Sequence, residues 1–225
     1  MCFSRKGGAS ATQAFGFHAR GTDSTGPPLH EYPHVVRPLV YHSPLAAAVF
    51  FTTFGVWAVG ELVLQVRNQA LGEPDPSRLG MIAGSVGGIT VAFVLAGHGT
   101  LPGPSWLPVA MGLCLAWLGM AVRAWSVRTL GEFFTVDVTV AAKQRLIDDG
   151  PYARVRHPSY TGMLMAILGF GIALDSWGAA AAALFLPLAA VVNRIRHEEA
   201  MLRRELGEPY EAYANRTARL VPGIW

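Results

Sequence analysis

Long apolar runs broken by short polar segments dominate the first half of the chain. Residues 43–66 carry one charged side chain, Glu61, while residues 79–97 and 105–122 carry none. Each run is close to the ~20 apolar residues that a helix needs to cross a bilayer. The pattern therefore predicts three transmembrane helices within residues 43–125.

Two shorter apolar runs follow, over residues 160–174 and 177–192, with Asp175 and Ser176 between them. Both fall short of a full span, so we predict a tight helical hairpin over residues 158–193. Its start lies at a proline, which suits the first helical position because the missing N–H removes no hydrogen bond there. The predicted fold is an all-α integral membrane protein with about five transmembrane helices.

The remaining segments are polar. Residues 1–42 are rich in Gly, Ser, Thr, His and Pro and have little periodicity, which is typical of a flexible tail. Residues 126–225 start with a long polar connector, continue through the hairpin and end in helices over residues 194–225. Gly207 predicts the end of the first of these helices, since glycine readily adopts the left-handed conformation there. Pro209 predicts the start of the second.

Glycines are concentrated in the second apolar run, at Gly80, Gly84, Gly87 and Gly88. Small residues at this spacing let two membrane helices approach closely. A glycine-rich cofactor loop is the alternative, but it would follow a strand, and no strand is predicted before this run. Helix packing is therefore the favoured interpretation.

Composition excludes an ordinary soluble domain. Hydrophobic residues make up 52% of the chain and charged residues 15%, whereas about a quarter of a soluble domain is charged. Cys2 and Cys114 form no disulfide framework, and His98, His157 and His197 lack the spacing of a metal site. The net charge of +3 comes with basic residues that border the apolar runs. Their position indicates contact with membrane lipid rather than with nucleic acid.

The distribution of basic residues predicts the orientation in the membrane. With five crossings and the C-terminal region inside, the inner segments are residues 67–78, 123–159 and 194–225. They hold 2, 6 and 6 Lys and Arg residues, which is 14 of the 18 in the chain. Because cytoplasmic loops are enriched in Lys and Arg, a cytoplasmic C-terminal region is favoured.

Ionisable residues gather at both ends of the predicted hairpin. His157 comes directly before it, and Arg194 and Glu198 leave it on one helical face, four residues apart. Charges beside a membrane span are costly to keep there and therefore suggest a function. Taken alone, Arg194 and Glu198 could equally form a surface ion pair worth ~0.3–0.5 kcal/mol, and His157 could simply cap the hairpin.

Several neighbouring side chains also allow two interpretations. Tyr152 and Tyr160 could be interfacial aromatic residues, and Arg154 and Arg156 could anchor the hairpin at anionic lipid. Glu61 could pair with a cation from another helix or line a tunnel for an acceptor. The residues alone leave these alternatives open.

Two motifs flank the hairpin. Residues 150–162 read G-P-Y-x-x-x-R-H-P-x-Y-x-G, and residues 194–213 read R-x-x-x-E-E-x-x-L-x-x-x-L-G-x-x-Y-x-x-Y. In this order and at this separation they resemble the motifs of the isoprenylcysteine carboxyl methyltransferases. The broader group includes the phospholipid N-methyltransferases. The resemblance covers residues 125–225.

The resemblance implies an integral membrane methyltransferase that uses S-adenosylmethionine without a Rossmann domain, with residues 126–225 as the catalytic region and the cofactor at the cytoplasmic face. It implies that Arg194 and Glu198 are catalytic, with Arg194 holding the carboxylate of the acceptor. The residues that match cofactor-binding positions of the family are Gln144, Arg145, Leu146, Ile147, Tyr152, His157, Pro158, Ser159, Tyr160 and Glu198. Asp137 departs from the family, which often has an amide or similar polar residue nearby. The short N-terminal part resembles prokaryotic members, which implies the plasma membrane of a prokaryote.

The methyl acceptor is the least determined part of this interpretation. The favoured acceptor is lipophilic, either a small molecule or a lipidated chain, and is methylated at a carboxylate. Alternatives are S- or N-methylation of a small thiol, an amine or a phospholipid, which would benefit from a base such as His157, Glu198 or Glu199. A membrane scaffold or transporter is the non-enzymatic alternative, although transport predicts paired repeats and the sequence contains none. The sequence does not determine the oligomeric state.

Overall fold

The computed structural model describes residues 38–67, 76–131, 134 and 146–225. Within these residues the chain is helical, with one short 3₁₀ turn at Gly150–Ala153 and no β-strand. This confirms the predicted all-α fold. The helices are α1 Leu39–His42, α2 Pro44–Arg67, α3 Pro76–Leu95, α4 Trp106–Leu130, α5 Pro158–Ala173, α6 Trp177–Leu206 and α7 Glu208–Arg216.

Four of these helices, α2, α3, α4 and α6, are long and apolar enough to cross a membrane, and α5 is a shorter apolar helix. The first three correspond to the three predicted spans. The apolar side chains exposed along them, such as Val59, Leu62 and Val94, suit a lipid environment. The chain is therefore an integral membrane protein.

The second arm of the hairpin is longer than predicted. A boundary at residues 193–194 was expected, because the apolar run ends there, but α6 continues without interruption for 30 residues to Leu206. The residues beyond the apolar run are mainly Arg, Glu, Leu, Met and Ala, which favour helix in water as well as in lipid. As predicted, Gly207 ends this helix with a positive φ of 58°, and α7 starts beside Pro209.

Glycines allow α4 and α5 to touch along their backbones. A Cβ atom at Gly119 would lie 2.5 Å from the carbonyl oxygen of Gly162, and one at Gly162 would lie 2.6 Å from that of Gly119. Gly112 and Gly169 form the same reciprocal contact two turns away. Both obstacles are backbone atoms, so no side-chain movement could make room for a methyl group. The two helices are thereby held in a fixed register.

The predicted glycine contact of α3 is confirmed at two of its four positions. A Cβ atom at Gly84 would lie 2.6 Å from Cβ of Ala190, and one at Gly88 would lie 2.8 Å from Cδ of Pro187, both on α6. Nothing lies within 4 Å of the corresponding points at Gly80 and Gly87. The close contact thus follows a four-residue spacing.

The hairpin tip lies at Asp175 and Ser176, as predicted. Asp175 has a φ of 51° and accepts a hydrogen bond from the backbone N–H of Leu101 at 3.1 Å. The Ser176 hydroxyl caps α6 by accepting from Ala179 N–H at 3.3 Å, and it lies 2.9 Å from the carbonyl oxygen of Leu95. Both side chains are buried, so the tip is fastened to the end of α3.

Two predicted segments differ in extent from the structure. The short helix α1 lies within the segment assigned to the N-terminal tail, and its Val40 is buried; residues 1–37 lie outside the described residues. Helix α4 continues to Leu130 and so includes the first residues of the predicted connector. Most of the rest of that connector, with Asp137, is outside the described residues as well.

Candidate functional site

Arg194 lies on α6 with its guanidinium buried between three helices. It is 2% exposed. Its Nε donates a hydrogen bond to the hydroxyl of Tyr160 on α5 at 2.7 Å, and its Nη1 donates to Oγ of Ser77 on α3 at 2.9 Å. A buried cation requires such partners, because a charge removed from water without compensation is strongly destabilising. The contacts fix the direction in which the guanidinium points.

The Tyr160 hydroxyl also connects Arg194 with Glu198. It donates a hydrogen bond to Oε2 of Glu198 at 2.9 Å while it accepts from the arginine. Arg194 and Glu198 share a helical face, as the four-residue spacing predicted, and the phenol lies between them. Because both hydrogen bonds involve an ionised group, they are stronger than neutral ones.

His157 lies beside this chain of hydrogen bonds, at the start of α5. Its ring stacks on that of Tyr160, with centroids 5.7 Å apart and an interplanar angle of 19°. Its Nδ1 lies 3.9 Å from Oε1 of Glu198, and its Nε2 lies 3.4 Å from Oε1 of Glu199. The ring is buried, so it forms one wall of the site rather than a lipid contact.

Glu199, the next residue on α6, has a different environment. It is 1% exposed and binds Arg156 at 3.0 Å and Arg219 at 3.1 Å, with Arg203 further away at 3.7 Å. These three cations come from the segment before α5, from the C-terminal segment and from α6. Glu199 therefore joins three parts of the chain that are distant in sequence.

The Arg156 side chain is 8% exposed and lies within this cluster, which differs from the lipid contact that the sequence left open for it. Its Nη1 donates to the carbonyl oxygens of Ala214, at 2.6 Å, and of Thr217, in addition to the ion pair with Glu199. The backbone follows the same path, because His157 N–H donates to the carbonyl of Arg219 at 3.0 Å. By contrast, Arg154 is exposed.

The other predicted cofactor residues are spread over different surroundings. Tyr152 is buried, and its carbonyl accepts from the Tyr213 hydroxyl at 2.8 Å. Leu146 and Ile147 lie outside any helix and are partly exposed. Pro158 and Ser159 are buried in α5. Gln144 and Arg145 lie outside the described residues.

Ser159 contacts an ion pair that the sequence left open. Arg123 on α4 binds Glu61 on α2, with Nη2 2.6 Å from Oε2, and its Nη1 donates to Oγ and to the carbonyl oxygen of Ser159 at 2.8 and 3.2 Å. Of the two roles considered for Glu61, pairing with a cation is the one observed. Arg123 was overlooked as a candidate, although it is the charge that ends an otherwise uncharged run.

Three further tyrosines, Tyr152, Tyr210 and Tyr213, are buried near the site. Burial raises the pKa of Tyr213 to about 12 and raises those of Tyr152 and Tyr210 even further. These phenols are therefore neutral at physiological pH and do not act as bases. The Tyr213 hydroxyl donates to the Tyr152 carbonyl, whereas the buried Tyr210 hydroxyl has no hydrogen-bond partner among the described residues. Among the described residues, no group of three or more His, Cys, Asp or Glu side chains could hold a metal ion.

Known proteins resemble this chain over the same region. Residues 110–204 match the model of the isoprenylcysteine carboxyl methyltransferase (ICMT) family. A probable protein-S-isoprenylcysteine O-methyltransferase of Oryza sativa subsp. indica is 30% identical over 121 residues, which are 53% of this chain and 63% of the relative. Protein-S-isoprenylcysteine O-methyltransferase B of Arabidopsis thaliana is 30% identical over 121 residues, 53% of this chain and 61% of that protein. The chain thus matches less than two thirds of the length of these relatives.

The fold has a solved counterpart. The structure of the eukaryotic intramembrane Ras methyltransferase ICMT superposes with a TM-score of 0.59 and 21% sequence identity, and the match covers 83% of this chain and 70% of that chain. At this identity the likeness concerns the fold. The comparisons confirm the resemblance that the two hairpin motifs predicted, because residues 110–204 match the model of the isoprenylcysteine carboxyl methyltransferase family and the relatives are similar over about half of this chain.

Proposed function

We propose that this protein is an integral membrane methyltransferase that uses S-adenosylmethionine and methylates a carboxylate on a lipophilic acceptor. The observation that carries the proposal is the buried guanidinium of Arg194, joined through the Tyr160 hydroxyl to the carboxylate of Glu198. This arrangement places an anion-binding group and a cation-binding group side by side. The relatives named above are protein-S-isoprenylcysteine O-methyltransferases by name, and the matching family model is that of carboxyl methyltransferases, which supports the choice of a carboxylate.

The residues present fit the methyl donor. S-adenosylmethionine carries a positive sulfonium and supplies the methyl group as an electrophile. Glu198 is suited to a cation, because its side chain is 28% exposed and its negative charge is met by a tyrosine and a histidine rather than by a close arginine. His157 and Tyr160 form the adjoining wall. The proposed cofactor-binding set is completed by Gln144, Arg145, Leu146, Ile147, Tyr152, Pro158 and Ser159.

Arg194 suits the acceptor. A carboxylate is already ionised at neutral pH, so the reaction needs no general base, and the protein has to position the reacting groups and exclude water. Correct positioning can contribute ~7–11 kcal/mol. A guanidinium binds a carboxylate with defined geometry, and the hydrogen bonds to Tyr160 and Ser77 keep that geometry fixed.

Transfer to a thiol or an amine would require removal of a proton. Of the three bases considered from the sequence, Glu199 is neutralised by arginines, which leaves His157 and Glu198. Methylation at a thiol or amine would then rise steeply with pH near neutrality, whereas carboxylate methylation would not. Screening lipophilic carboxylates, both small molecules and lipidated chains, would identify the acceptor.

The proposed location follows from the distribution of charge. The segments that hold 14 of the 18 Lys and Arg residues border the same end of the hairpin as the site, which favours a cytoplasmic active site. We place the protein in the plasma membrane of a prokaryote, with residues 126–225 as its catalytic region. Cysteine labelling at positions introduced on α7 and near Gly99, in sealed vesicles, would test the orientation.

Binding of S-adenosylmethionine, measured by calorimetry on the detergent-purified protein, tests the proposal. We expect the wild type to bind and Glu198→Ala to lose affinity by ~10–150-fold, because a hydrogen bond to a charged group contributes ~1.5–3 kcal/mol. Arg194→Ala should abolish turnover and leave cofactor affinity largely intact. Arg204→Ala, on an exposed residue of the same helix, is the matched control. A well-folded wild type that does not bind would overturn the proposal and favour a scaffold or transporter.

A further inference from the structure

A groove borders the segment that carries the site. It has a volume of about 510 Å³, which is within the range of small-molecule sites. Its walls come from the end of α4, the 3₁₀ turn, the start of α5 and the C-terminal segment. The lining residues used below are Val122, Trp125, Ala153, Arg154, Val155 and Leu220.

The segment between residues 150 and 161 thus has two faces. Tyr152, His157 and Tyr160 belong to the candidate site, whereas Arg154 and Val155 line the groove. Neither Arg194 nor Glu198 lines the groove, so a molecule in it would not reach the proposed reacting groups. Of the proposed cofactor residues, Pro158 also lines the groove, so the groove borders the cofactor position without including Arg194 or Glu198.

The groove lies where apolar surface meets polar surface. The apolar part of α4 ends at Val122, and Trp125, one turn further on, is 53% exposed, as is typical of tryptophan at a membrane boundary. Val155 and Leu220 are buried beside it and contribute apolar surface. A hydrocarbon chain would find a matching surface in this part of the groove.

Arg154 is the only charged side chain among the residues that line the groove. It is exposed, and within the described part of the chain its guanidinium forms no hydrogen bond or ion pair. The nearby Arg156, in contrast, is occupied by Glu199. The groove therefore combines an apolar wall with one available positive charge at the membrane boundary.

We propose that this groove binds one anionic phospholipid from the surrounding bilayer, with its phosphate or anionic headgroup at Arg154 and part of an acyl chain along Val122, Val155 and Leu220. The occupant matches the groove in both respects, since it is an amphiphile with a negative head. The bound lipid would pack against the residues of the 150–161 segment that line the groove and so stabilise the fold next to the site. This inference does not depend on the methyltransferase proposal.

Native mass spectrometry and thermal unfolding of the purified protein test the inference without cofactor or acceptor. Protein is reconstituted with phosphatidylglycerol or phosphatidylcholine. We expect one retained phosphatidylglycerol per protein and a higher melting temperature than with phosphatidylcholine. Arg154→Gln should weaken phosphatidylglycerol binding about fivefold, as expected for one basic residue near an anionic lipid surface.

Two further variants make the result specific. Arg204→Gln removes an exposed arginine outside the groove and should change nothing, whereas Ala153→Trp keeps Arg154 but fills the groove and should abolish lipid retention. Equal binding of the two lipids, or equal losses in Arg154→Gln and Arg204→Gln, would overturn the inference. So would full lipid retention by a folded Ala153→Trp variant, because the lipid would then lie elsewhere.

Discussion

Glu198 and Glu199 are adjacent on α6 and have the same chemistry, yet the structure gives them opposite surroundings. Glu199 is almost completely buried and has two arginines within 3.1 Å. Glu198 is partly exposed, and its close partner is the hydroxyl of Tyr160. One helical step of about 100° separates the two carboxylates. That of Glu199 is paired with arginines, whereas the close partner of Glu198 is a neutral hydroxyl.

The comparison distinguishes two uses of a buried charge. The Glu199 cluster joins the segment before α5 to the C-terminal segment, so its role is to stabilise the fold. In the Arg194–Tyr160–Glu198 chain the tyrosine hydroxyl lies between the guanidinium and the carboxylate, and this arrangement suits binding of a polar ligand. Four substitutions can break or sharpen this distinction.

Glu199→Gln should have the largest effect, and the effect should be on stability. Removing one partner of a buried ion pair typically costs ~3–5 kcal/mol, because the other charges stay buried without compensation. Here Arg156 would be left in that state. A thermal melt in detergent should show a large loss of stability in Glu199→Gln. A melt close to that of the wild type would show that the cluster does not hold the fold together.

Glu198→Gln should have the complementary effect. It keeps the size of the side chain and removes its charge, so affinity for S-adenosylmethionine should fall by ~1.5–3 kcal/mol, while the melting temperature stays near that of the wild type. Calorimetry and the same melt measure the two quantities on one sample. If stability and not binding were lost, Glu198 would belong with Glu199 as a structural residue.

Tyr160→Phe removes the hydroxyl that joins Arg194 to Glu198. The guanidinium loses one buried hydrogen-bond partner, which costs ~1–3 kcal/mol. We expect a higher KM for the acceptor and a lower kcat, with a smaller change in cofactor affinity than in Glu198→Gln. Tyr213→Phe is the control for loss of a buried phenol hydroxyl, since that hydroxyl binds the carbonyl of Tyr152 instead. Equal kinetic losses in both variants would argue against a special role for Tyr160.

Arg203→Gln should have the smallest effect. Arg203 lies 3.7 Å from Glu199, but its side chain is 41% exposed. Exposed ion pairs contribute ~0–1 kcal/mol, and Glu199 keeps its two closer arginines. The melting temperature should therefore change little. A loss as large as that of Glu199→Gln would mean that the outer arginine, too, is essential to the cluster.

Much of the fold could be predicted from local sequence features. Three apolar spans, the hairpin tip at Asp175, the start of α5 and the glycine end of α6 are each determined by a few consecutive residues. The length of α6 was underestimated, because hydropathy reports where the apolar face ends and not where the backbone stops being helical. Its residues beyond position 193 favour helix in either medium.

Pairing between distant segments could not be predicted in the same way. Nothing local shows that Glu199 meets Arg219 or that Glu61 meets Arg123, because each pair is created by the packing of helices that are far apart in sequence. The contact of Gly119 with Gly162 was missed for a related reason: glycines at a seven-residue spacing on two different helices acquire meaning once the helices are known to be neighbours. That Arg194 and Glu198 share a helical face could be predicted, because their four-residue spacing depends on one helix alone.

The hydrogen bonds between the segment at residues 154–157 and residues 218–219 have a consequence for how the protein is made. The ribosome synthesises a chain from its N-terminus, and residue 219 follows His157 by about 60 residues, a delay of roughly 3–12 s at typical rates of elongation. During this interval the hairpin can enter the membrane, but residues 218 and 219, which bind the backbone at Arg156 and His157, have not yet been synthesised. The candidate site is therefore completed after the membrane helices that surround it, and a nascent chain that lacks residues 218 and 219 cannot make the hydrogen bonds that hold His157 in place.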